Sequence, residues 1–482
     1  MFVLLALSTS VVSADSEFDS KLRSLLADLL LYNAQIGVAI YDITAEEQLF
    51  SHNDTLLFNP ASNMKLFTSA AALELLGPSF RFKTQFLYRG KISNGRLAGD
   101  LVIVGGGDPL ISGRFRSHIT EILEYWADSL VSRGVRGIDG NIVVDNSLFT
   151  GPELGPGWSW DDLTYWYACP ISALSFNDNC VDLKFLSGRK VGDPAIIEFN
   201  PHTDYIITHN NAYTLPAESS FTLDYYRTPN SNDITFFGGI PIDDTAGEID
   251  YVSIHRPEIY TATIFQNVMN SRGLEVSGEI FALKDAPESL ATIYSRQGLQ
   301  PLFVWNSESL GVVINVINTN SQNFFAEQTL LTLGATIEGD GSFSGGARAA
   351  RRFFAGIGID SADLEMVDGS GLSYINMVKP EAVVRLLAHM KKSPYFEIYY
   401  ESLANPAEDR SARNRLKGIQ FRENLRLKTG HIARVNTLSG YVLGPRTKHL
   451  FAFSIMVNNY ACPSTEAEAR QDSILAEILR VY

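Results

Sequence analysis

The sequence predicts an α+β, multidomain protein. An antiparallel sheet flanked by helices is built from the two chain ends, and a large β-rich insertion of one or two subdomains separates them. Three observations predict this. The chain has 482 residues, more than one ordinary domain holds and enough for about three. Both ends carry strand-like and helix-like periodicities in alternation. Between roughly residues 86 and 290 the texture changes to short strands and Gly/Asp/Asn-rich turns, with few helices.

The elements follow in order. Phe2-Val3-Leu4-Leu5-Ala6-Leu7 is apolar, and Val12 and Ala14 satisfy the small-residue rule for cleavage before Asp15. Residues 1–14 are therefore expected to be an export signal peptide, although the usual positive n-region is missing. Residues 18–31 read as an amphipathic helix, and 34–41 with 48–51 as a hairpin. Residues 65–76 form an Ala/Leu-rich, buried helix closed by Gly77-Pro78. Pro60, just before it, cannot lie inside a helix. Within the insertion, residues 132–142 and 271–280 echo each other, each after a stretch of helical spacing, which suggests a duplicated helix–turn–strand unit. Residues 171–240 form a candidate nested subdomain. Residues 310–331 read as two helices broken by a polar patch at 318–323. Residues 425–430 alternate as an edge strand, 441–443 and 451–457 are further strands, and 471–482 is a closing helix. Residues 15–85 and 291–482 are thus expected to form one domain around the insertion 86–290.

Three short strings stand at structurally marked places. Ser62-Asn63-Met64-Lys65 opens the buried helix, with Lys65 one turn after Ser62 on the same face. A serine hydroxyl needs an adjacent base, which a lysine becomes only on losing its proton. Burial and a second nearby cation both favour that loss, and Lys428 is a candidate for the cation. Ser321-Gln322-Asn323 lies in the inter-helix break, where Ser321 is placed to shuttle a proton to a leaving amine and Asn323 to hold a substrate amide. Lys428-Thr429-Gly430 lies on the edge strand. Lys428 and Thr429 are suited to a terminal carboxylate, and Gly430 to close approach of a ligand or backbone. S-x-x-K, S-x-N and K-T-G in this order are the set used by penicillin-binding proteins and serine β-lactamases.

With the strings Gly105-Gly106-Gly107-Asp108-Pro109, Trp160-Asp161-Asp162, Pro170 to Asn179 and Asp368-Gly369-Ser370-Gly371-Leu372-Ser373, the chain resembles the D-Ala-D-Ala carboxypeptidase/endopeptidase family of penicillin-binding protein 4 type over nearly its whole length. Ser62 and Ser321 stand about 260 residues apart, matching the large insertion of that family. The resemblance implies a penicillin-binding transpeptidase-like catalytic domain and a serine carboxypeptidase/endopeptidase acting on peptidoglycan stem peptides. It also implies β-lactams as covalent inhibitors, an extracytoplasmic location, and no cofactor. The catalytic set is then Ser62, Lys65, Ser321, Asn323 and Lys428, with Thr429, Gly430 and His431 at the substrate. The backbone N–H groups of Ser62 and His431 would form the oxyanion hole. A β-lactamase and a non-catalytic wall-peptide or β-lactam sensor are the alternatives.

Two positions depart from the family pattern. Tyr374 follows the Asp368–Ser373 string where an arginine is usual, so a bidentate grip on a distal substrate carboxylate is lost. His431 replaces the commoner Thr or Ser. Farther out, Asp162 and Tyr167 lie among clustered aromatics, a composition suited to gripping a cationic amine on the stem peptide.

Bulk properties exclude several classes. A net charge of −15 argues against nucleic acid or anionic membrane as a partner. No apolar run reaches the roughly 18 residues of a membrane span. The eight histidines form no metal-binding pattern, so no metal site is expected. Three cysteines make no disulfide framework. Cys169 and Cys180 are close enough to bridge across a turn, a question the sequence leaves open, and Cys462 is expected to be free and buried.

Overall fold

A computed structural model of the chain describes residues 14–27, 33–244, 246–294 and 298–482. The expected signal peptide falls almost wholly outside the described residues.

The central sheet has five strands. β1 (Gln35–Asp42) and β2 (Glu47–His52) come from the N-terminal end. β3 (Leu425–Ile432), β4 (Val435–Leu443) and β5 (Leu450–Asn458) come from the other. Their order is β2-β1-β5-β4-β3, and every pair is antiparallel. The chain ends meet where β1 pairs along its full length with β5, Gln35 opposite Asn458 and Asp42 opposite Phe451. Strand periodicity explains the two-sided burial. One face, with Val38, Ile40, Leu427, Leu438 and Ile455, packs under helices α1 (Ala14–Leu26) and α6 (Ser464–Val481). The opposite face, with Ala39, Tyr441, Ala452 and Met456, packs against α2 (Met64–Leu76), α3 (Leu310–Thr319), α4 (Asn323–Ile337) and α5 (Pro380–Lys392). α2 is buried along nearly its whole length, as its Ala/Leu composition requires.

β3 is an edge strand whose outer side, among the described residues, is paired only at Leu427, which exchanges backbone hydrogen bonds of 2.8 and 2.9 Å with Ala404. Beyond that bridge, from Thr429 onward, the edge has no backbone partner among the described residues. An exposed edge of this kind accepts an extended peptide by strand addition.

The insertion is more regular than its turn-rich sequence suggests. Its first two strands are long, eleven residues (Lys83–Ser93) and nine (Arg96–Val104), and they open a seven-stranded sheet closed by Gln300–Asn306. The two echoing segments lie side by side. Glu275 and Val276 pair in parallel with Gly137 and Ile138, and Ile280–Ala282 with Ile142–Val144, after the helices Glu121–Ser132 and Pro257–Ser271. The small sheets between residues 180 and 253 share one hydrophobic core with this larger sheet. The loop at 158–168 packs on both cores, Tyr165 against that of the insertion and Trp158 and Trp166 against that of the catalytic domain.

Two expectations are revised. The closing helix begins at Ser464, seven residues earlier than its apolar spacing indicates, because Pro463 supplies an N-terminal start. Cys462 is half-buried rather than buried, lying where the chain leaves β5 against the α1/α6 layer. Cys169 and Cys180 are buried, free thiols in mutual contact, and burial followed by that contact pushes the Cys180 thiol well up. Among the described residues no helix is long and apolar enough to cross a membrane.

Candidate active site

Ser62 sits in a single 3-10 turn, Ala61–Asn63, that runs directly into α2. The turn is fixed from both sides. The Asn59 side-chain oxygen accepts from the Ala61 N–H at 2.8 Å, and Thr437 on β4 donates to the Pro60 carbonyl at 2.7 Å. Asn63 donates to the Lys428 carbonyl at 2.9 Å, joining the turn to β3. Gly430 explains why the two backbones come so close. A Cβ there would stand 2.9 Å from the Ser62 nitrogen and 2.2 Å from the Thr437 hydroxyl. The backbone at Ser321 lies in the left-handed region at φ 58°, a strained conformation for a non-glycine residue and one found at functional sites.

Lys65 is fully buried, yet its ammonium nitrogen has three partners: Ser62 Oγ at 2.8 Å, Asn323 Oδ1 at 2.6 Å and the Ser370 carbonyl at 2.8 Å. Burial lowers its pKa to about 7, against the pull of the Glu327 and Asp368 carboxylates. Lys428, also buried, donates to Ser321 Oγ at 2.7 Å and to the Thr429 carbonyl at 2.9 Å. Its pKa is driven well down, chiefly by burial and secondarily by the charge of Lys65. Of the two causes expected from sequence, burial and a second cation, burial leads at both lysines, and like-charge repulsion adds to it at Lys428.

Asn323 also has partners within the protein. Its oxygen accepts from Lys65 and its nitrogen donates to the Tyr167 carbonyl at 2.8 Å. Asn323 thus orients Lys65 and ties the insertion loop to the catalytic domain, and it lines the cavity with its second amide N–H left over.

A cavity of about 600 Å³ brings Ser62, Ser321, Asn323, Thr429 and His431 together with Asp162, Tyr167 and Tyr374. Lys65, Lys428 and Gly430 stand behind its wall. In β3 the backbone of Leu427 faces the outer edge, so His431, at the same parity, directs its N–H there as well. Neither that N–H nor the Ser62 N–H has an acceptor among the described residues. Two free donors beside Ser62 Oγ are what a developing oxyanion needs. Asp162 accepts from the Tyr167 hydroxyl at 3.0 Å. Burial raises the Asp162 pKa, with the Tyr167 hydrogen bond pulling it down.

Behind Lys65 stands a residue outside every sequence motif, Glu327, together with Asp368. Glu327, fully buried on α4, accepts from the Gly369 and Ser370 N–H groups at 2.7 and 2.9 Å. Burial, followed by the Asp368 charge, raises its pKa to about 8. Asp368 accepts from the N–H groups of Gly371 and Ser373, from the Asn376 amide and from the Trp158 indole, at 2.7–3.0 Å. These carboxylates shape the 368–373 turn so that the Ser370 carbonyl reaches Lys65. A glutamate four residues after Asn323 on an otherwise apolar helix face was the available signal.

The pH response follows from Lys65. Only the neutral amine can take a proton, so with a pKa near 7 the acylation rate should fall about tenfold per pH unit below that value and level off above it. Stopped-flow acylation by a chromogenic β-lactam between pH 5 and 9 checks this; a rate flat through pH 7 contradicts it.

Among curated proteins, the chain is 29% identical over 474 residues to the D-alanyl-D-alanine carboxypeptidase of Actinomadura sp. strain R39, covering 96% of this chain and 84% of that protein. It is 25% identical over 452 residues to the D-alanyl-D-alanine carboxypeptidase DacB of Haemophilus influenzae, covering 92% and 90%. The crystal structure of penicillin-binding protein 4 from Haemophilus influenzae shares the fold, with a TM-score of 0.80 at 23% identity, covering 96% of this chain and 98% of that one. The family profile described as D-Ala-D-Ala carboxypeptidase 3 (S13) matches residues 18–480, and the chain belongs to that family.

Proposed function

We propose that this member of the serine carboxypeptidase family acts on peptidoglycan stem peptides through an acyl-enzyme on Ser62. One observation carries the reading: the Ser62 hydroxyl lies 2.8 Å from a buried lysine whose pKa has dropped to about 7. Ser62 Oγ attacks the carbonyl carbon between the two terminal D-alanines while its proton passes to the neutral Lys65. The Ser62 and His431 N–H groups receive the oxyanion. The C–N bond breaks, and the proton taken up by Lys65 passes to the leaving amine by way of Ser321, which Lys428 orients, so that Lys65 is neutral again. Water then hydrolyses the ester and returns Ser62. The substrate's terminal carboxylate is held by Lys428 and by the Thr429 hydroxyl donor. When the leaving amine belongs to a cross-linked peptide, the same steps make an endopeptidase.

The peptide backbone lies along the free edge of β3, and its side chain reaches Asp162 and Tyr167. Tyr374, 44% exposed, lines that end of the cavity, so a side-chain amine matters more there than a distal carboxylate. Asp162→Asn should lower kcat/KM for amine-bearing peptides roughly tenfold or more, the size of one charge-assisted hydrogen bond, and leave penicillin acylation nearly unchanged. Equal loss on free-amine and acetylated substrates would assign Asp162 a structural role. Such a substrate lies outside the cytoplasm, which agrees with an exported chain.

The test follows a fluorescent penicillin and D-Ala release together. Stable label with D-Ala release is expected. Rapid loss of label would make the protein a β-lactamase, and no label with no D-Ala release would make it a non-catalytic binder. The Haemophilus influenzae protein has been solved in complex with a β-lactam; covalent inhibition of this chain is the corresponding proposal.

A further inference from the structure

Trp160 is the most exposed large apolar side chain among the described residues, at 78%. It sits at the rim of a second cavity of about 260 Å³, lined by Glu153, Leu163, Pro170, Arg227, Asn230 and His255 among others. Most exposed apolar residues need no explanation, but an indole standing out beside a concave, mixed polar surface does. The Trp160 indole N–H, the Asn230 amide and the His255 ring make no side-chain hydrogen bond among the described residues, so three polar groups at this cavity are unspent.

The platform is held rigidly and shares a loop with the candidate active site. Arg227, 7% exposed, donates to the Leu163 carbonyl at 2.8 Å, and its N–H donates to the Thr164 hydroxyl at 3.1 Å. Ser253 donates to the same Leu163 carbonyl at 2.5 Å. Two residues after Trp160, Asp162 lines the Ser62 cavity. One pinned loop therefore presents Asp162 to one cavity and Trp160 to the other.

A flat indole with unspent donors and acceptors around it fits a sugar ring. The C–H face of a pyranose packs on the aromatic ring, while hydroxyl and acetamido groups take up the polar partners. A cavity of about 260 Å³ has room for about one ring. A purely apolar ligand would leave the Asn230 and His255 groups unpaired, at a cost. We propose that Trp160 and the adjoining cavity bind an N-acetylhexosamine of the glycan strand to which the stem peptide is attached. The assignment of the ligand rests on the peptidoglycan reading above. The catalytic centre then receives stem peptides still joined to their glycan, and free peptides are poorer substrates.

The test is calorimetric titration of the full chain with a β-1,4-linked N-acetylglucosamine oligomer, which needs no turnover. It is paired with KM measurements on a stem pentapeptide with and without its disaccharide. The oligomer is expected to bind the unaltered protein, and Trp160→Ala to weaken that binding at least tenfold, with Trp160→Phe retaining part. The disaccharide-linked peptide should have a KM several-fold below that of the free peptide, an advantage that Trp160→Ala abolishes. Free-peptide turnover and penicillin labelling should be unaltered in the variant, which also shows that it is folded. No oligomer binding by the unaltered protein, or equal KM values for the two peptides, overturns the glycan site. Failure of free-peptide turnover and labelling, with oligomer binding intact, would instead count against the carboxypeptidase reading.

Discussion

Ser62→Ala is expected to abolish covalent penicillin labelling and to lower D-Ala release on the order of a millionfold, as when the nucleophile is taken from a cooperating catalytic unit. The fold should survive, because the turn is held by groups other than the serine side chain: the Asn59 contact to Ala61, the Thr437 contact to Pro60 and the Asn63 contact to Lys428. Thermal denaturation alongside the labelling assay separates lost chemistry from lost structure. Residual activity above about a thousandth of the original would mean that another group opens the reaction.

The second large effect is at Lys65. Lys65→Arg keeps a cation but cannot supply a base, since a guanidinium does not lose its proton in proteins. Acylation should slow by about 10²–10⁴-fold, the usual share of general-base catalysis, and the pH dependence centred near 7 should disappear with it. Retention of most of the acylation rate would move the base elsewhere, with Lys428 through Ser321 the next candidate.

Ser62, Lys65, Ser321 and Lys428 were legible because each chemical pair needs only a short string in a recognisable local setting. Ser62 precedes a helix, Ser321 breaks one and Lys428 rides an alternating strand. Position in the fold was legible for the same reason: alternation ending in a glycine indicated an edge strand, and β3 is the edge of the sheet. What sequence could not show is which group touches which across hundreds of residues. Asn323 carried its motif in plain view, but its two hydrogen bonds run to Lys65 and to Tyr167, one of them across 258 positions. Glu327 was hidden because its role is to hold backbone N–H groups of a distant turn, and Asp368, visible in its string, gave no sign that it holds the N–H groups of that same turn. Burial and a second cation were both expected to lower a lysine pKa, but their ranking was invisible, since desolvation depends on burial by the whole assembled fold. The insertion was harder still. Its glycines suggested short strands, whereas Gly90 and Gly99 lie opposite each other inside a long hairpin, where close backbone approach, not chain reversal, uses them.

The most direct test of the central claim is peptide mapping by mass spectrometry after brief exposure to benzylpenicillin. One penicilloyl adduct is expected, on the peptide that contains Ser62, formed faster above pH 7 than below it and absent from Ser62→Ala. An adduct on any other residue, or D-Ala release by a protein that never forms one on Ser62, would contradict that claim.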